Sequence, residues 1–171
     1  MSRLKLAFIF ILCLSNAAVA QSSDQCHVYV VDVAVARKAF ENFRPTGDEK
    51  VDARAMQAGT TILGMFSSTI GEEVLTTRTY PFPGSKLIVT ASVYYTDEMM
   101  PGESMLLGIV VSEKAQESAL YSGNNAVAEV AYDEQTRTVR AKKMIEVNGR
   151  SYLVGLQCDH QSKATADRPR D

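Results

Sequence analysis

Cysteine, histidine and methionine are the residues of this 171-residue chain best suited to chemistry, and there are three, two and seven of them. Cys26-His27 and Cys158-Asp159-His160 place a thiol beside an imidazole near each end of the chain. Three outcomes are open to them: a Cys26–Cys158 disulfide, a zinc site built from both cysteines and both histidines, or thiols left free or paired between chains. Side chains of an extended segment alternate between its two faces, so Cys158 and His160 share a face while Cys26 and His27 do not. The spacing also lacks the short Cys-to-Cys and His-to-His turns of structural zinc sites. The disulfide is therefore expected, and no metal. A bridge requires Cα atoms within about 7 Å, so the first and last strands must lie side by side or face to face. A loop of that length is worth about 5 kcal/mol in the chain-entropy model.

Nucleophilic catalysis needs a base next to the nucleophile, and both histidines sit beside the expected bridge. No G-x-S-x-G elbow is present. Ser67 and Ser68, in Gly64-Met65-Phe66-Ser67-Ser68, read as hydroxyls on a sheet surface. The carboxylate pairs Glu72-Glu73, Asp97-Glu98 and Asp133-Glu134 fall in turns, where solvated acids are common. Glycoside hydrolysis would need two carboxyls about 5–9.5 Å apart across a cleft, a distance that sequence does not supply. Gly47-Asp48-Glu49-Lys50 lacks the second glycine and Lys-Ser/Thr of a phosphate loop. These residues point to a protein that is not an enzyme and carries no cofactor, with a hydrolase as a minor alternative.

One stretch stands out. From Tyr94 to Met105, three methionines and three acids surround a Pro-Gly turn. Thioethers bind copper(I), and flexible methionines suit adaptable contact surfaces. Tyr95, Asp97, Glu98, Met99, Met100 and Glu103 are accordingly the candidate partner-binding residues, with a copper site as a minor alternative and plain packing as the simplest account.

The remaining sequence says where such residues would work. Arg3 and Lys5 precede the apolar run 6–14, and Ala18-Val19-Ala20 has the small-x-small form of a cleavage site. That order is a secretory signal peptide over 1–20, cut after Ala20, and Cys13 leaves with it. The apolar run is shorter than the roughly 20 residues that span a bilayer, and no later run reaches that length. The mature chain would be periplasmic or secreted, without a transmembrane segment. Loss of Arg3 and Lys5 takes its formal charge from −2 to −4. With a pI near 5.7 and no basic run, no nucleic-acid partner is expected.

Residues 21–160 read as a single β-rich domain. Strand patterns cover 26–33, 60–70, 73–80, 86–96, 105–112, 126–132, 136–147 and 150–158. Val33, Ala36, Phe40 and Phe43 follow helical spacing and predict an amphipathic helix ending before Pro45, while 51–59 is ambiguous. Ser112 is placed to cap a short helix over 113–122. Asn148-Gly149 marks a tight hairpin, and the composition of 161–171 predicts a disordered polar tail.

About eight mostly antiparallel strands, tied end to end, predict a small up-and-down barrel, with a two-layer sandwich as the alternative. The chemistry and the address together predict an exported, non-catalytic protein-binding domain of inhibitor, immunity or envelope-assembly type. Its net charge favours a basic partner by steering. The alternative is a carrier of a small apolar ligand, held in a barrel cavity lined by Val89, Val93, Tyr95, Ile109, Val130 and Val154, where small residues such as Gly64, Ala91, Ala128 and Ala141 leave room.

Overall fold

Among the described residues of the computed structural model, the β-branched and alternating runs form eight strands: β1 (Ser23–Asp32), β2 (Thr60–Thr69), β3 (Leu75–Pro81), β4 (Ile88–Tyr95), β5 (Met105–Ser112), β6 (Glu129–Asp133), β7 (Thr138–Val147) and β8 (Arg150–Asp159). Two helices, α1 (Val33–Asn42) and α2 (Glu49–Met56), lie between β1 and β2. The described residues are 23–69, 75–95, 105–120, 129–133 and 138–159. Residues 1–20, 161–171, His160, Ala128 and the methionine-rich stretch 96–104 lie outside them.

The first and last strands pair as expected. Cys26 and Cys158 stand directly opposite each other in the antiparallel β1–β8 ladder and are bridged, with a Cα–Cα distance of 4.1 Å and a sequence separation of 132. The bridge joins strands rather than chain ends. Residues before 23 and after 159 take no described part in it.

The strands do not close into a barrel, which corrects that expectation. They form a five-stranded sheet, β2-β1-β8-β7-β6, and a three-stranded sheet, β3-β4-β5, both antiparallel. An up-and-down barrel would need ladders from β2 to β3 and from β5 to β6, and neither exists among the described residues. Instead β3 meets β2 through side chains. The Tyr80 ring lies over Gly64, where a Cβ would collide with it, and Ser68 donates a 3.2 Å hydrogen bond to the Thr76 hydroxyl. Pro81 ends β3 on an edge, the position where a residue without an amide donor does least harm.

The two sheets pack face to face as a sandwich. Cys26, Val28 and Val30 from β1, Ala141 from β7, and Val154 and Leu156 from β8 meet Val89, Ala91 and Val93 from β4 and Leu107 and Ile109 from β5. Phe82, in the β3–β4 hairpin, is buried edge-on against Tyr152 with ring centroids 5.2 Å apart and closes one end. The other end is polar: the buried Tyr95 hydroxyl donates a 2.7 Å hydrogen bond to the Asp24 carboxyl, also buried.

Two local departures from the sequence reading have clear causes. Opposite the Val28–Tyr29 step, β2 carries an extra residue, Leu63, which packs on the core. Such a bulge reverses side-chain parity, so Phe66 and Ser68 stay inside while Ile62, which unbroken alternation along 60–70 puts on their face, turns outward. The helix expected over 113–122 is absent from residues 113–120. That segment is an irregular strap over the outer face of β4 and β5. Its amides go to strand hydroxyls, Gln116 N–H to Thr90 Oγ1 at 3.2 Å and Ala119 N–H to Ser92 Oγ at 2.8 Å. Thr90 and Ser92 are thereby fully buried on what would otherwise be a wet face.

Candidate functional site

The outer face of the five-stranded sheet has a partial cover. Asp32 ends β1 and caps α1, its carboxylate accepting from the amides of Ala34 and Val35 at 3.0 and 3.1 Å. Asp48 caps α2 in the same way, through the amides of Lys50 and Val51. In the connection between the helices, the Asp52 carboxylate accepts from Thr46 N–H at 2.9 Å, Thr46 Oγ1 at 2.8 Å and Gly47 N–H at 3.3 Å. Those bonds to Thr46 hold the Asp52 carboxyl below its ordinary value. A 2.9 Å bond from Asp32 N–H to the Gly59 carbonyl fastens the end of the pair to the sheet.

The helical pair is well anchored, yet neither helix has a buried residue. The apolar stripe read from Val33, Ala36 and Phe40 does form one side of α1, and it stays open. Between that stripe, Ala55 and Met56 of α2, and Val31, Leu153 and Met144 of the sheet runs a groove of about 460 Å³. Phe40 on its wall is 69% exposed, and Met56 and Met144 are each more than half exposed. On β2, Ile62 and Met65 are more than half exposed as well, Ile62 at the border of the neighbouring hollow. Isolated exposed apolar residues are ordinary, but a contiguous group marks a contact surface.

Beside the groove the lining becomes polar. His27, Tyr29, Gln57, Thr60 and Gln157 border a second hollow together with Arg54 and Ile62. The Tyr29 ring lies flat over Gly155, its cross-strand neighbour, in the space a Cβ would take. Its partial burial raises the hydroxyl above the ordinary tyrosine value, against the opposing pull of the nearby Arg140 charge. Arg140 is itself directed by a 3.1 Å bond from Nε to the Gln157 side-chain oxygen. A third hollow, near the α1 N-terminus, is bordered by Arg37, Lys38 and Arg150.

This is not the stretch that the sequence singled out. Tyr95 is buried between the sheets with its hydroxyl on Asp24, while Asp97, Glu98, Met99, Met100 and Glu103 lie outside the described residues. Of the residues considered as cavity walls, Val89, Val93, Tyr95, Ile109 and Val154 are core residues packed between the sheets. His27 lies on the outer face opposite Met65 and Gln157, away from Cys26 on the inner face, as strand parity required. The only sequence signal for the groove was the helical spacing of Val33, Ala36 and Phe40. It marks an apolar face without saying whether anything covers it. Compared with known proteins, the chain matches no family model, no curated relative and no solved structure.

Proposed function

We propose that this chain is an exported domain that acts by binding another protein rather than by catalysis, with the groove between the helical pair and the five-stranded sheet as its docking face. The observation that carries this reading is the exposed apolar lining of the groove, Phe40, Met56 and Met144, with Ile62 and Met65 also exposed on β2. Exposing those side chains costs solubility, and a partner that covers them recovers their transfer free energy, about 25 cal/mol per Å². Methionines form three of the five, and their unbranched, polarizable chains adapt to varied partners. The groove supplies apolar contact, and its neighbours Tyr29, His27 and Gln157 supply hydrogen bonds. The Cys26–Cys158 bridge ties the two central strands beneath it into a firm base, a device suited to an oxidising compartment.

A carrier of a small apolar ligand is the second reading, favoured by a groove volume within the range of about 300–1,000 Å³ used by small-molecule sites. Such sites enclose most of their ligand, whereas the walls here are largely exposed, so the protein-docking reading takes precedence. Native mass spectrometry of the exported protein separates the two. Docking predicts a retained species of protein mass that is lost in the Phe40→Asp, Met144→Asp double variant. A small organic mass lost in the same variant would favour the carrier.

A further inference from the structure

We infer that the partner presents an apolar segment flanked by acidic residues; this rests on the docking reading above and specifies the chemistry of the occupant. Net charge alone, at −4 for the chain after 1–20, points to a basic partner. The lining of the site points the other way. Around the groove and the two hollows beside it, the described charged residues are Arg37, Lys38, Arg54, Arg150 and a single acid, Asp32. Asp32 is already committed to two amides as the α1 cap. On β7, Arg140 and Lys142 occupy the outer row at positions opposite Gln157 and Gly155, beside Met144. Exposed acids on the same elements are Glu41, Glu49, Glu146 and Asp159; none lines these hollows, but Glu146 shares the outer row of β7 and flanks Met144 on the side away from Lys142. Around the apolar trough the cations Arg37, Lys38, Arg54, Arg140, Lys142 and Arg150 therefore outnumber the acids Asp32 and Glu146.

That distribution selects among possible occupants. A second copy docked through the same face would set Arg37, Arg54, Arg140 and Lys142 against the same residues of its mate, and like charges across an interface cost several kcal/mol. An acyl chain would use the apolar trough but gain nothing from the polar floor next to it. A polypeptide uses both. Its apolar side chains enter beside Phe40, Met56 and Met144, its main chain meets Tyr29, His27 and Gln157, and its acids reach the surrounding cations.

The test is a selection of random twelve-residue peptides displayed on phage against the full chain produced by export, followed by affinity measurement with the winning synthetic peptides. The expected winners combine two or three large apolar residues with Asp or Glu. They weaken about tenfold or more on the Arg37→Glu, Arg54→Glu variant and at high salt, and bind neither Phe40→Asp nor Met144→Asp. All four residues are exposed, and unchanged unfolding midpoints verify that the variants fold. Winners that are neutral or basic but still lost on Phe40→Asp would overturn the acidic inference and leave the docking site standing. Failure to enrich groove-dependent peptides would overturn both. Groove-dependent binding only to phosphatidylcholine vesicles containing phosphatidylglycerol would assign the same surface to lipid and overturn the inference as well.

Discussion

Two carboxyl groups show how single residues set this structure. Asp24 is fully buried and receives the Tyr95 hydroxyl at 2.7 Å. Burial and that bond to Asp24 hold the Tyr95 hydroxyl protonated far above the ordinary tyrosine value. Tyr95→Phe keeps the ring and deletes the donor, so it is expected to lower unfolding free energy by about 1–3 kcal/mol, the cost of an underbonded buried polar group. Urea titration measures this directly. Asp52 acts in the open. Its folded value is depressed by the bonds from Thr46 and Gly47, so the loop contacts contribute stability above the unfolded aspartate value. They lose it as pH falls through the lower folded value. The amide shifts of Thr46 and Gly47 should therefore titrate together at a midpoint below that of ordinary aspartate, and Asp52→Asn should abolish the titration.

At the scale of elements, the strap 113–120 is the least expected feature and the easiest to disturb. It passes so close over β5 that a Cβ on Gly108 would stand 2.9 Å from the Ala119 carbonyl carbon and 2.8 Å from Leu120. Gly108→Ala forces backbone to move, and is expected to cost about 1–3 kcal/mol while raising hydrogen exchange at the Gln116 and Ala119 amides. The strands themselves were readable, because alternation and β-branching report directly on a pleated, half-buried surface. Asn148-Gly149 likewise forms the β7–β8 turn, with both residues at positive φ. The strap was not readable, since Ser112 followed by a polar run satisfies helix-capping rules. What defeats the helix is tertiary: hydroxyls of Thr90 and Ser92, more than 20 residues earlier, take its amides. Ile62 misled for a related reason. A bulge at Leu63 is a single inserted residue with no signature in an otherwise regular alternation.

Over the whole molecule, topology and charge carry the account. One cysteine near each end of the mature chain was enough to expect the bridge, and with it first and last strands lying side by side or face to face. It was not enough to separate barrel from sandwich, because both give the same hairpins and differ only at β2–β3 and β5–β6. The bridge closes 132 positions, for which chain entropy gives about 5 kcal/mol. The Cys26→Ala, Cys158→Ala pair should lose a large part of that in denaturant unfolding, with strand pairing retained in what still folds. The groove was only half legible: the helical stripe was visible, but its exposure depends on how far two short helices reach across a sheet. Charge was legible only as a total, and the excess of cations around the groove belongs to the folded surface.

The central claim is that this open face holds a protein. Photo-crosslinking in the producing cells tests it most directly, with p-benzoylphenylalanine placed at Phe40 and, in parallel, at Leu75 on the other sheet, which is also exposed. The account predicts a protein adduct from the Phe40 position alone, and a crosslinked peptide rich in apolar and acidic residues. Equal adducts from both positions, or none from Phe40, would contradict it.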